Sequence, residues 1–270
     1  MNIKKTIRYL LILIKYIFIK IINKIFFTQN IKIIPSLESL DFFKIQYSSQ
    51  TRRYLFRNPQ KKIEKIIIDT SLFESDLCLL GKKYKTNKSS LNFDGARSGY
   101  TGFYSLIFSR IRDEKINFAE IGIEKNASSR MWNKYFKKAR LYFFEYDKIK
   151  IKKAKKYKLK KTSYHFTDVT SRKVLRDTFE KLNKRFDVII DDSTHFFEHQ
   201  LNVINSTFDF LKPNGFLIIE DIYKKYNEND YNLALGSIKK KFKKIVFIET
   251  YNSNNYTASW KNDKLLILIK

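Results

Sequence analysis

A chain of 270 residues is long enough for a full hydrophobic core, as one large domain with an appendage or two smaller ones. Its one cysteine, Cys78, excludes an internal disulfide framework and any multi-cysteine zinc or iron–sulfur site, and suits a reducing, cytoplasmic setting. The formal charge of +27 would suit a polyanion, but it is carried mostly by dispersed lysines, with no compact arginine cluster or RNA-binding signature, which argues against nucleic acid as a partner.

The first stretch, "MNIKKTIRYLLILIKYIFIKIINKIFF", is strongly apolar, yet Lys15, Lys20 and Lys24 interrupt it. No uncharged run approaches the ~20 residues that span a bilayer, and neither an uninterrupted apolar core nor a small-residue cleavage site marks a signal peptide. Residues 1–30 are therefore expected to form a basic apolar helix on an anionic membrane face, the alternative being a helix docked on the rest of the fold. Residues 31–74 read as a helical or linker region, followed by the polar loop "GKKYKTNKSSLNFDGARSGYTGFY".

From about residue 115, short β-type runs alternate with longer helical ones, which is the pattern of βαβ units and a parallel sheet. Five strands are predicted in order: "NFAEIGI" (117–123), "RLYFFEYD" (140–147), "TSYHFTD" (162–168), "FDVIIDD" (186–192) and "GFLIIED" (215–221). Between them, stretches such as 170–184 and 197–210 repeat apolar residues at three and four and read as crossover helices. After residue 230 come one more helix and two strands, "KKIVFIET" and "KLLILIK", joined by a polar Asn/Ser-rich loop. The expected fold is α/β: a doubly wound, mostly parallel seven-stranded Rossmann-like sheet with a terminal antiparallel hairpin, its main domain covering 75–270.

Acidic residues gather where these strands end: Glu120, Glu145, Asp168, Asp191 with Asp192, and Glu220 with Asp221. A doubly wound sheet brings strand ends to one crevice, so the carboxylates should converge. Crowded carboxylates raise each other's pKa unless a cation, a ligand or hydrogen-bond donors compensate. Gly122 lets the backbone approach a ligand where the first strand turns into a helix, and Glu145 is placed to accept from ribose hydroxyls.

"FAEIGIEKNASSRMW" followed by "ARLYFFEYD" resembles the cofactor loop and second strand of class I S-adenosylmethionine-dependent methyltransferases. With "VIIDDSTHFFEHQ", "LKPNGFLIIEDIY" and the earlier "LLGKKYKTNKSS" and "GYTGFY", residues from about 75 onward are similar to the metal-dependent sugar O-methyltransferases of macrolide biosynthesis, the mycinamicin and macrocin type. The resemblance implies an enzyme that carries a methyl group from S-adenosylmethionine to a sugar-containing acceptor. It implies Glu120, Gly122, Glu145 and Asp168 at the cofactor, Asp192, Glu220 and Asp221 as ligands of Mg2+ or another hard divalent cation, and His195 as general base. His199 is expected to pack or cap, and Asp191 has no assigned role.

Two positions depart from the family pattern. Asn126 stands where the cofactor loop usually has glycine, and Ser193 and Thr194 leave no glycine between Asp192 and His195. Asparagine tolerates left-handed backbone angles better than most residues, so the first change should be silent. The competing expectations are a nucleic-acid methyltransferase, suggested by the charge, and a non-catalytic membrane-surface protein with a degenerate methyltransferase fold. The sequence leaves a homo-oligomer open.

Overall fold

The computed structural model describes residues 31–34, 63–253 and 264–270, the first of these as backbone only. The expected membrane-surface segment, 1–30, lies outside the described residues. No helix among those described is long and apolar enough to cross a membrane.

The chain enters through β1 (Ile31–Ile34) and β2 (Glu64–Asp69), then α1 (Asp76–Tyr84) and α2 (Tyr100–Phe108). The alternating part follows as β3 (Asn117–Ile121), α3 (Ala127–Tyr135), β4 (Arg140–Glu145), α4 (Lys148–Lys155), β5 (Thr162–Phe166), α5 (Arg172–Leu182), β6 (Phe186–Asp191), α6 (Phe197–Thr207) and β7 (Leu211–Ile219). It closes with α7 (Glu228–Ala234), β8 (Lys244–Tyr251) and β9 (Lys264–Ile269).

Each predicted strand is present, trimmed by about two residues where its acidic end leaves the ladder. The helices start where short polar side chains can take up free amides. Ser171 accepts from the Val174 N–H at the start of α5, and Asn183 closes that helix in the left-handed region. Asp147 does the same for α4, accepting from Ile149 and Lys150.

All strands form one sheet in the order β1-β2-β8-β9-β7-β6-β3-β4-β5. Strands β3 to β7 run parallel, and β9 inserts antiparallel between β7 and β8, which is the expected terminal hairpin. The seven strands β3 to β9 are those anticipated from sequence. The region 31–74, expected to be helical or linker, instead adds β1 and β2, which lie parallel along β8. The run "EKIIID" buries only Ile66 and Ile68 on alternate positions, so its strand character depends on β8, some 180 residues away, being there to pair with it.

Period-two alternation sorts the core into two layers. Phe118, Val188, Ile190, Phe216 and Ile218 face the side covered by α1, α2 and α3, while Ala119, Ile121, Ile189, Leu217 and Ile219 face α5, α6 and α7. On the first side Tyr104, Phe108, Phe118, Trp132 and Phe136 pack ring on ring. Continuing the same parity past the strands puts Glu120, Asp192 and Glu220 on the side of α1 to α3.

Candidate functional site

The turn after β3 is tightly constrained. Gly122 has φ +93°, and a Cβ there would fall 2.0 Å from the backbone oxygen of Asp192, so β3 and β6 leave the sheet almost in contact. The Gly122 N–H donates to Phe144 O and the Asp192 N–H to Ile121 O, extending the ladder one residue beyond the strands. Asn126 adopts φ 63° and ψ 24°, the left-handed angles expected where a glycine has been replaced, and α3 begins directly after it.

At the end of β4, Glu145 is half-buried. One of its oxygens accepts from the N–H groups of Tyr146 and Asp147, the other from that of Ile123 in the β3 turn. Three amides therefore fix the carboxylate beside the turn and leave lone pairs for further donors. Asp168, after β5, accepts from the N–H and hydroxyl of Thr170 with one oxygen. It lies apart from the cleft described below.

The ends of β3, β6 and β7 meet a residue that the sequence reading passed over. Lys88, in the segment between α1 and α2, is 1% exposed. Its ammonium donates to Asp192 Oδ2 and Glu220 Oε2 and lies 3.6 Å from Glu120 Oε1. Burial opposes the charge on Lys88, but the Asp192, Glu220 and Glu120 carboxylates outweigh it and hold the pKa well above the ordinary lysine value.

Glu120 is turned into the protein, its oxygens taking Ser128 Oγ at 2.9 Å and Trp132 Nε1 at 3.1 Å. Burial raises its pKa to about 7 against the opposing pull of Lys88. Glu220 accepts from the Tyr104 hydroxyl at 2.7 Å with its other oxygen, and burial pushes its pKa well up as well. Neither glutamate lines the cleft.

A second group lies further out. Asp192, His195 and Asp221 offer ligand atoms that all fall within 4.8 Å of one another, with His195 Nε2 3.7 Å from Asp221 Oδ2. Asp221 also accepts from the Tyr100 hydroxyl at 2.7 Å, and burial with the nearby Asp192 charge raises its pKa to about 6. His195 and Asp221 both have positive φ, 61° and 53°. His195 Nδ1 is buried with no hydrogen-bond partner among the described residues. Two carboxylates and an imidazole form a donor set that suits a divalent cation.

Of the residues singled out from sequence, the structure thus brings together Asp192, Asp221 and His195, joins Glu120 and Glu220 through Lys88, and leaves Glu145 on the neighbouring turn. His199 packs against Phe196 and pairs with Thr194 Oγ1 at 2.7 Å, a local contact as expected. Asp191 is buried and accepts from Ser193 Oγ at 2.6 Å. Lys88, Tyr100 and Tyr104 were not assigned roles. The strand parity that aligns Glu120, Asp192 and Glu220 on one face was the available signal that a cation should be sought in the segment covering that face.

Asp192 and His195 of the outer group line a cleft of about 740 Å³. Gly122, Ile123 and Ser128 line it as well, together with Thr86, Asn87 and Asn92 from the segment after α1. Its volume is in the range of small-molecule sites.

No family model matches the chain. It is similar to the 8-demethyl-8-alpha-L-rhamnosyl tetracenomycin-C 2'-O-methyltransferase of Streptomyces olivaceus, 24% identical over 155 residues, 52% of this chain and 39% of that protein. It is also similar to the L-olivosyl-oleandolide 3-O-methyltransferase of Streptomyces antibioticus, 28% identical over 134 residues, 47% of this chain and 33% of that one. The demethylmacrocin O-methyltransferase of Streptomyces fradiae is 24% identical over 181 residues, 63% and 42%. The matched part thus spans roughly two fifths of the length of these relatives. Among solved structures, the MycE methyltransferase of the mycinamycin pathway, in complex with Mg and SAH, superposes with a TM-score of 0.50 at 18% identity over 73% of this chain and 54% of that one.

Proposed function

We propose that this chain, which has the fold of class I S-adenosylmethionine-dependent methyltransferases and is similar to sugar O-methyltransferases, moves a methyl group from S-adenosylmethionine to a hydroxyl of a sugar-containing acceptor. The observation that carries this reading is that Asp192, His195 and Asp221 converge, and that the first two line a cleft shared with the β3 turn. The bound cofactor supplies an electrophilic methyl sulfonium, and a divalent cation supplies acidification and orientation of the acceptor oxygens.

The chain's own residues carry the rest. Glu145 and the amides at the start of α3 would receive the cofactor, with Asp168 at its far end. Asp192 and Asp221 would hold the cation. His195 would take the acceptor proton at Nε2, the nitrogen 3.7 Å from Asp221 Oδ2. The cleft walls from residues 86–96 and 122–128 orient the acceptor and restrict water.

Radiolabelled methyl transfer to a panel of nucleotide sugars and glycolipid precursors tests this reading. With an acceptor found, His195→Ala should cut turnover by ~10²–10⁴-fold while leaving cofactor binding intact. Transfer that survives EDTA unchanged, or full activity in His195→Ala, would remove the proposed mechanism. Residues 1–27 carry the proposed attachment to anionic membranes, so their deletion should release the protein from anionic liposomes.

A further inference from the structure

We propose that Lys88 is a resident cation that withdraws Glu220 from the divalent-ion site, leaving Asp192 and Asp221, beside His195, as the carboxylates that face the ion. This rests on the ion in the reading above, but it concerns which side chains the ion meets.

Each Glu220 oxygen already has a buried donor. One accepts from Tyr104 at 2.7 Å and the other from Lys88, and the whole side chain is buried. An ion that took Glu220 as a ligand would have to push a buried ammonium away from its carboxylate partners, where no water waits to receive it. Asp221 is differently placed. Only its Oδ1 is hydrogen-bonded, to Tyr100, and Oδ2 faces His195 at a distance too long for a hydrogen bond.

Backbone strain falls on the same side of this division. Nine non-glycine residues among those described have positive φ, and His195 and Asp221 are two of them, whereas Lys88, Glu120 and Glu220 are not. Left-handed angles are unfavourable for residues with a Cβ and persist where the surroundings impose them, commonly at ligand sites. The unpartnered Nδ1 of His195 belongs to the same outer group.

Charge decides the consequence. Glu120, Asp192 and Glu220 share one ammonium, so the inner cluster keeps its geometry without any added ion. The ion then meets two carboxylates instead of three, one of them already shared with Lys88. Fewer ligand charges mean weaker binding, so the site should exchange its ion readily.

The test uses the full chain and Mn2+ as the probe, with free Mn2+ read by electron paramagnetic resonance. Asp221→Asn should weaken Mn2+ binding by about tenfold or more, and Glu220→Gln by less than about threefold. Lys88→Met frees Glu220 and should bind Mn2+ about tenfold tighter than wild type, a gain that the double variant Lys88→Met with Glu220→Gln should lose. A lysine that merely supported the fold would not give tighter binding on removal. If Lys88→Met does not fold, the ranking of Glu220→Gln against Asp221→Asn decides. Equal weakening by those two variants, or no gain in folded Lys88→Met, would overturn the assignment. Mn2+ binding by Lys88→Met but not by wild type would keep the role of Lys88 and remove the ion from the proposed reaction; absence of binding in both would overturn both.

Discussion

At the end of β4, the Glu145 carboxylate is half-buried and accepts the backbone amides of Tyr146 and Asp147 beside it and of Ile123 in the β3 turn. At the ends of β3, β6 and β7, Glu120, Asp192 and Glu220 are satisfied instead by side chains, with Lys88 reaching 104 residues to Asp192 and 132 to Glu220. Two of the amide donors belong to the loop itself and the third to the turn of the neighbouring strand, so they are in place once β3 and β4 pair. A buried ammonium must be delivered by tertiary packing, and its removal leaves carboxylates with nowhere to place their charge. The first carboxylate stays half-buried, where a ligand can reach it, whereas Glu120 and Glu220 of the second are fully buried.

Gly122 joins the two regions, and substitution there should have the largest effect. In Gly122→Ala the new Cβ would need to move the Asp192 backbone from 2.0 Å, at a φ of +93° that alanine disfavours. The expected loss is about 2–6 kcal/mol, overpacking and left-handed strain together, measured as a shift of the urea midpoint. Gly236→Ala provides the contrast. That residue has φ +47° and nothing within 4 Å, so only the strain of about 1–2 kcal/mol should remain. Equal losses at both positions would mean that β3 and β6 do not meet so closely.

The side-chain-satisfied region should also show itself in pH dependence. Burial raises Glu120 from 4.5 to about 7, so the folded chain holds a proton that the unfolded chain releases. With more protons bound in the folded state, stability falls as pH rises from about 4.5 to about 7 and levels off above. The contribution is complete below about pH 4.5 and is on the order of 3 kcal/mol. Glu120→Gln removes the ionisable group while keeping partners for Ser128 and Trp132, and it should flatten this part of the slope in unfolding experiments from pH 5 to 8. An unchanged slope would mean that Glu120 is ionised throughout, fully compensated by Lys88.

The sequence revealed the acids of both regions but not the cation that joins three of them. Alternating apolar runs ending in acids at 145, 168, 192 and 221 identify strands and their carboxyl edge, because both signals are local. Lys88 sits in a polar loop among other lysines, and nothing near it in sequence separates a buried ammonium from a solvated one. Its environment is set by α1, α2 and three strand ends that meet only in the fold. β2 was hidden for the same reason, since its pairing partner β8 is the nearly most distant element of the chain. Asn126 was readable because its left-handed angle is a property of the residue type and the tight turn.

The smallest effect should come from the open region, and it should be confined to cofactor binding. Glu145→Ala removes the acceptor proposed for the ribose hydroxyls together with the anchor for three amides, so S-adenosylhomocysteine should bind more weakly by about 1–3 kcal/mol, measured by calorimetry. Solvent can reach a half-buried turn and replace part of what the amides lose, which keeps the stability cost low. Glu145→Gln separates the two roles. It retains one carbonyl oxygen for the hydroxyls or the amides, so its loss of affinity should be the smaller one. Mn2+ binding should be the same in both variants as in wild type, because Glu145 belongs to neither the Lys88 cluster nor the Asp192, His195 and Asp221 group. A fall in Mn2+ affinity in Glu145→Ala would show that the two regions of the carboxyl edge are coupled through the β3 turn, whose Ile123 amide Glu145 holds.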